Sequence, residues 1–144
     1  MAVIAGGLAL STSACSMLFG PNYRDPNGQV TASASINSSA LQLGDCILNI
    51  SDSPSSISKL TVVPCTSPHE AEVFAVGTGL SNDDATLQSY CTGQYEGYMG
   101  IAWSDASLQA TYIHADSTKA TTDVQCIVYK AGQMVSDTYK GSGQ

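Results

Sequence analysis

The sequence contains few charged residues, and positive charge is the scarcest. Only 5 of its 144 residues are Lys or Arg, against 12 Asp or Glu, so the formal net charge is −7. Such a surface repels nucleic-acid phosphates and argues against a DNA or RNA partner. It also repels anionic lipid headgroups, so membrane attachment requires something other than a basic patch.

Long apolar runs are also lacking. The apolar stretch at residues 1–10 is too short to cross the ~30 Å core of a bilayer as a helix. It is typical of the apolar region of a signal peptide. Small residues at 11–14 then lead to Cys15, as they do before a lipid-modified cysteine. We therefore predict a lipoprotein-type signal peptide at residues 1–14 and a lipid anchor on Cys15. Two or more acyl chains on this residue would hold the protein stably at the membrane.

The signal-peptide pattern is imperfect. Thr12 occupies the position where Leu is usual, and no Lys or Arg precedes the apolar run, which is consistent with a start upstream of Met1. Two alternatives remain open: an ordinary secretory signal that yields a secreted protein, or a buried N-terminal strand.

Residues 15–40 have no periodicity of 2 or 3.6. They are rich in Ser, Ala and Thr and include Pro21, Pro26 and Gly28. A segment of this composition buries too little apolar surface to offset its ordering entropy. The sequence therefore predicts a flexible tether at 15–40, followed by one globular domain at 41–143.

Within that domain, alternating or β-branched patterns predict five strands, and a short terminal piece predicts a sixth. A helix is predicted to begin at residues 81–84, where a capping side chain is followed by acidic residues, and to end at Gly100. These elements predict an α+β fold, a small and mainly antiparallel sheet with one helix packed on a face. The predicted strands are residues 44–50, 59–65, 70–78, 108–114, 123–130 and 134–139.

Neither a C-x-x-C pair nor an H-E-x-x-H pattern is present, so zinc-ribbon, thioredoxin-like and zincin interpretations lack support. The domain cysteines Cys46, Cys65, Cys91 and Cys126 allow three pairings. We favour Cys46–Cys65, which closes a pair of strands, and Cys91–Cys126, which ties the helix to a late strand. The alternative is buried free thiols.

The segments 43–46 (LGDC) and 63–73 (VPCTSPHEAEV) resemble the septum-formation domain family of actinobacterial envelope proteins, and Cys91 and Cys126 stand at matching places. The resemblance covers about residues 41–143 and is most specific around His69. It implies an exported domain with a link to cell division or envelope maintenance, and no established reaction. One departure is residues 120–123 (ATTD), where the family has an aromatic-rich stretch before the last cysteine.

The cluster His69, Glu70 and Glu72 offers imidazole and carboxylate groups that bind metals or transfer protons. In a regular strand the two glutamates face one way and His69 the other, so the three converge only at a bend. The interpretation that we favour is a His69 that hydrogen-bonds locally beside the Cys65 disulfide. No metal or other cofactor is predicted.

Aromatic side chains are candidates for partner contact because Tyr and Trp are enriched at interfaces. Tyr95 and Tyr98 share the helical stripe of Leu87 and Cys91, so we expect both tyrosines in the core. Trp103 follows the helix and is the better candidate for a binding surface.

Together these features favour a non-catalytic, exported envelope lipoprotein domain, held at the outer face of the cell membrane, that binds an envelope protein or cell-wall partner. A metal-dependent or other cell-wall hydrolase using His69, Glu70 and Glu72 is one alternative. A purely structural lipoprotein is another.

Overall fold

The computed structural model describes residues 22–50, 57–115 and 118–144. The predicted signal peptide and Cys15 lie outside these residues. The described part contains six strands and one α-helix: β1 Ala34–Asn37, β2 Cys46–Ile47, β3 Lys59–Val63, β4 Ala71–Ser81, α1 Asp84–Met99, β5 Gln109–His114 and β6 Thr121–Tyr129.

The strands form one sheet in the order β1-β3-β2-β4-β6-β5, and every pairing is antiparallel. The 3-10 turn after β1, Ser38–Ala40, contacts β5 and β6. The segment that follows one edge strand therefore reaches the other edge, and the sheet is curled. The predicted α+β fold, a small antiparallel sheet with one helix on a face, is confirmed.

The two faces of the sheet bury separate cores. On β6, Cys126 and Val128 face the helix, and Ile127 between them faces the opposite core, as the two-residue period of a strand requires. The helix-side core contains Phe74, Leu87, Tyr95, Met99 and Tyr139, and the opposite core contains Ile36, Ile47, Val62, Val73 and Ile113.

Helix α1 begins and ends where the sequence predicts. The Asp83 side chain accepts a hydrogen bond from the Thr86 N–H, and Gly100 closes the helix with a left-handed φ of 78°, a conformation that costs glycine little. Tyr95 and Tyr98 are buried, so their predicted place in the core is confirmed. The Cys91–Cys126 disulfide joins the helix to β6 with a Cα–Cα distance of 5.5 Å.

Strand β4 is longer than the sequence predicts. Gly77 and Gly79 indicated an end near residue 78, but the strand continues to Ser81 through register shifts between Val73 and Ala75 and between Gly77 and Leu80. Gly77 allows a close approach, because a Cβ atom there would lie 2.8 Å from the Tyr90 ring. The glycines therefore accommodate irregular pairing and a helix contact within the strand.

Two other strand predictions are too long. The strand predicted at 44–50 is reduced to Cys46–Ile47, and the Ile50 N–H donates to the Glu70 carboxylate at 2.8 Å. The piece predicted at 134–139 forms only an isolated bridge between Val135 and His69. In both places a glutamate carboxylate accepts a hydrogen bond from a backbone N–H that would otherwise pair with a neighbouring strand. Glu70 accepts from Ile50, and Glu72 accepts from Tyr139.

The prediction of a flexible tether up to residue 40 is wrong for its described C-terminal part. Strand β1 pairs with β3 along its whole length. Ile36 is buried in the core opposite the helix, and Tyr23, Val30 and Ala34 pack against that core. Strand pairing and these apolar contacts therefore order a polar segment that has no periodicity of its own.

Candidate functional site

Glu72 lies in β4 and is fully buried. Its Oε1 accepts hydrogen bonds from the Tyr98 hydroxyl and, at 2.6 Å, from Thr138 Oγ1. Its Oε2 accepts the Tyr139 N–H at 2.7 Å. None of these donors carries positive charge. A single buried carboxylate thus joins the sheet, the helix and the C-terminal segment.

The environment of Glu72 affects its phenolic neighbour. Burial raises the pKa of Tyr98 well above its usual value, and the hydrogen bond to the Glu72 carboxylate raises this pKa further. The hydroxyl therefore remains a donor across the physiological range.

Glu70 is also buried, but it lies in a different place. Its carboxylate accepts the Ile50 N–H and the Gly132 N–H, both at 2.8 Å. It thereby holds the loop after β2 against the turn after β6. Because both oxygens bind the backbone, Glu70 serves as a cross-link between two loops.

His69 is fully buried just before β4. Its Nδ1 lies 2.8 Å from the Ser67 carbonyl oxygen, and its backbone exchanges two hydrogen bonds with Val135. This geometry supports the favoured interpretation of a locally bonded histidine beside the disulfide. In the described part of the chain Nε2 has no hydrogen-bond partner.

The structure brings together a different trio from the one that the sequence singled out. Cys46 Sγ, a ring nitrogen of His69 and a carboxylate oxygen of Glu72 all lie within 4.8 Å of one another. Glu70 is outside this group. The sequence predicts convergence only at a bend, and the structure has one: Glu70 forms a bend and β4 begins only at Ala71, so the alternation of a strand does not extend back to His69.

Cys46 is bonded to Cys65, with a Cα–Cα distance of 5.3 Å, and both predicted disulfides are confirmed. Cys46 is fully buried, whereas Cys65 is partly exposed. A sulfur in a disulfide is not a thiolate, so neither cysteine is a nucleophile or a strong metal ligand in this state.

Sequence reasoning missed an ion pair beside this group. Arg24 donates two hydrogen bonds of 2.6 Å to Asp45, and a third of 2.8 Å to the Gly28 carbonyl. The hydrogen bond to Asp45 is the largest of the effects that raise the pKa of Arg24. Arg24 lies in the predicted tether, and its one signal was its rarity as a cation in an acidic chain.

Asp45, Cys46 and Glu72 border a cleft of about 770 Å³. The turn at residues 27–31 forms one wall, the loop at 42–45 another, and the turn at 64–66 a third. Glu72, Tyr98, Thr138 and Lys140 complete the lining. Leu43, in the second wall, is 61% exposed, so the cleft carries an apolar side chain at its rim.

Trp103 does not line this cleft. It lies in a 3-10 turn, is 39% exposed, and packs edge-on against Tyr95 with ring centroids 5.0 Å apart. It borders a separate cavity of about 110 Å³. Part of the indole is therefore available at the surface, away from His69, Glu70 and Glu72.

The two disulfides indicate a chain that resides in an oxidising compartment outside the cytoplasm. Within residues 22–50, 57–115 and 118–144, no helix has the length and apolarity needed to span a membrane.

No protein-family model, curated protein or solved structure matches the chain. The resemblance to the septum-formation domain family therefore remains a prediction from residues 43–73.

Proposed function

We propose that this chain is a non-catalytic envelope lipoprotein domain, anchored through Cys15 at the outer face of the membrane, that binds an envelope protein or cell-wall partner through the cleft beside Leu43. Septum formation and cell-wall maintenance are the processes that the family resemblance favours for it.

The observation that carries this proposal is the exposed Leu43 on a cleft whose walls are cross-linked. The Cys46–Cys65 disulfide joins the loop at 42–46 to the turn at 64–66, and the Arg24–Asp45 pair fixes the turn at 27–31. A pre-organised concave site with an apolar contact binds with a smaller entropic cost than a mobile one.

Two further observations support a binding role over catalysis. Both oxygens of Glu70 accept backbone N–H groups, and Glu72 accepts three hydrogen bonds while fully buried. A general base must lie within hydrogen-bond reach of the substrate's proton, and these carboxylates are instead directed at the protein itself.

Site-specific photocrosslinking in growing cells tests the proposal. A photoreactive residue at Leu43 is expected to yield a discrete adduct with an envelope component. Met134 is the matched control, since it is 48% exposed and does not line the cleft. A second probe, at Trp103, tests the exposed indole surface on the helix side as an alternative interface.

An adduct at Met134 of the same yield, or none at Leu43, would contradict binding through the cleft. An adduct confined to Trp103 would show that the interface lies on the helix side and not at the cleft. No adduct at any of the three positions would favour the purely structural role.

The anchor is tested separately. Changing Cys15 to Ala is expected to move the protein from the membrane fraction to the soluble exported fraction, because the lipid would have no attachment point. A Ser13→Ala variant is the control and should stay at the membrane. Retention of the Cys15→Ala variant would contradict lipid anchoring.

A further inference from the structure

The group formed by Cys46, His69 and Glu72 has the supporting contacts of a metal site. In zinc proteins a histidine typically ligates through one ring nitrogen while the other donates to a backbone carbonyl or carboxylate. His69 Nδ1 already has the Ser67 carbonyl oxygen at 2.8 Å. The nitrogen that remains, Nε2, is buried and has no partner in the described part of the chain.

Glu72 is supported in the same way. Its Oε1 has two donors, and its Oε2 has only the Tyr139 N–H. Because a carboxylate oxygen has two lone pairs, Oε2 retains one for a further ligand. No donor to this buried carboxylate is cationic, so a metal ion would supply the positive charge that these contacts lack.

The third member is a sulfur that the disulfide masks. Cys65 is the partly exposed half and Cys46 the buried half. A thiolate of a dithiol reductant that attacks Cys65 Sγ forms a mixed disulfide and expels Cys46 as its thiolate. The reductant's second thiolate then attacks the mixed disulfide and releases Cys65 as a thiolate. The reductant loses two electrons to the protein disulfide and ends as a disulfide itself.

We propose that reduction of Cys46–Cys65 converts this group into a zinc site, with Cys46 Sγ, His69 Nε2 and a Glu72 carboxylate oxygen as ligands. Thiolate, imidazole and carboxylate are the three ligand types that zinc prefers. Cys46 Sγ, one ring nitrogen of His69 and one carboxylate oxygen of Glu72 lie within 4.8 Å of one another. Tetrahedral zinc bonds would place them about 3.3–3.8 Å apart, so closure requires a contraction of at most about 1–1.5 Å.

The fourth coordination position would face the cleft. Cys46 and Glu72 both border that cleft, although both side chains are buried, so the cleft is the side from which water or an exogenous ligand would approach the metal. The same residues would therefore form two states: the disulfide-locked domain of this structure, and a reduced domain with an open zinc position.

Two single substitutions distinguish zinc binding by the buried Cys46 sulfur from the effect of losing the disulfide. Cys65→Ser leaves Cys46 as a free thiol beside His69, and Cys46→Ser leaves only the Cys65 thiol, which is outside the group. Both variants lose the same cross-link and keep Cys91–Cys126. Zinc affinity is measured by competition with a chromogenic chelator, and cobalt serves as a spectroscopic probe of thiolate ligation.

The Cys65→Ser variant is expected to bind one zinc at least about tenfold more tightly than Cys46→Ser, and to show a thiolate-to-cobalt charge-transfer band. Adding His69→Gln to Cys65→Ser should lower the affinity by a similar factor and weaken that band. The oxidised wild-type chain should show neither the affinity nor the band. Equal affinity in the two cysteine variants, a folded Cys65→Ser variant without zinc binding, or no effect of His69→Gln would each overturn the proposal.

Reduced wild-type protein decides the question if neither cysteine variant folds. Zinc should then restore the near-ultraviolet circular dichroism of the reduced chain, and should fail to do so for reduced His69→Gln. No recovery in the wild type, or equal recovery in both proteins, would overturn the proposal.

Discussion

At the residue scale, Glu72 shows how a charged side chain can occupy a core. Burying an isolated carboxylate is strongly unfavourable, and this cost is offset only when donors replace the lost water. Glu72 has three donors from the helix and the C-terminal segment. Its location in the core is therefore conditional on contacts far away in sequence.

Changing Glu72 to Gln is expected to lower the free energy of unfolding by about 2 kcal/mol, the typical worth of a hydrogen bond to a charged group. The amide NH₂ of the glutamine is itself a donor. It would face another donor in either orientation: the Tyr139 N–H, or the hydroxyls of Tyr98 and Thr138. Urea denaturation measures the difference. Glu96, exposed on the same helix as Tyr98, provides the control, and Glu96→Gln should change stability by less than about 0.5 kcal/mol. A Glu72→Gln variant as stable as the wild type would show that neutralising the buried charge compensates for the lost bonds.

Tyr98 gives an alkaline dependence of stability. Burial raises its pKa in the folded state above the ordinary value of 10.0. A raised acid pKa contributes stability that is fully present below the unfolded-state pKa and lost as pH rises above it. Stability should therefore decline above about pH 10, and the decline should be shallower in Tyr98→Phe. Chemical denaturation at a series of alkaline pH values measures both slopes, and identical slopes would contradict this assignment.

The candidate site was only partly predictable from the sequence. The block at 68–72 indicates histidine and carboxylate chemistry, and the local bonding of His69 follows from its position near Cys65. The partner of Glu72 was not predictable, because Tyr98, Thr138 and Tyr139 are 26 to 67 residues away. The sequence indicates only a disulfide partner at Cys46, because the proximity of Cys46 to His69 and Glu72 arises from the pairing of β2 with β4.

At the scale of elements, the segment before β1 is held by a small number of specific contacts. The turn at 25–29 has internal backbone hydrogen bonds, and the Thr31 N–H donates to the Tyr23 carbonyl at 2.7 Å. The Arg24–Asp45 pair connects this turn to the loop before β2. Removal of that pair should release the turn without dismantling the sheet.

Asp45→Asn is expected to destabilise the protein by about 3 kcal/mol, because it leaves a partly buried guanidinium without its charge partner. Hydrogen exchange should accelerate first at Gly28 and Thr31, whose N–H groups are bonded within the turn. Asp105→Asn changes an exposed carboxylate and is the control. Unchanged exchange at Gly28 and Thr31 in Asp45→Asn would mean that the ion pair does not hold the turn.

Elements with a strong local pattern were predicted well, and elements that depend on tertiary contacts were not. The caps of α1 and the β-branched run of β3 are local signals. Strand β1 is ordered by pairing with β3, and the loss of a strand at 134–139 follows from hydrogen bonds to Glu72. Hydrophobic periodicity contains no information about either partner.

At the scale of the whole molecule, the two disulfides stabilise different regions of the fold. Cys91–Cys126 lies in the core beneath the helix, and Cys46–Cys65 lies beside the cleft. The two cysteines of Cys91–Cys126 are 35 residues apart in sequence, and those of Cys46–Cys65 are 19 residues apart. In the chain-entropy model, loops of this size each stabilise the fold by about 3–4 kcal/mol.

Mass spectrometry under non-reducing conditions should find no free thiol among the four domain cysteines.

Mild reduction should open Cys46–Cys65 first, because Cys65 is partly exposed whereas Cys91 and Cys126 are buried. Differential alkylation followed by peptide mapping measures the order. Preferential labelling of Cys91 and Cys126 would contradict the expected accessibility.

The position of Glu72 also has a consequence for the order in which the protein is made. The ribosome synthesises β4 and its carboxylate more than sixty residues before Thr138 and Tyr139, which lie 66 and 67 residues further along. Until those residues emerge, closing the sheet over Glu72 would bury a charge with only the Tyr98 hydroxyl to solvate it. We therefore expect the native core around Glu72 to close only after Thr138 and Tyr139 have been synthesised.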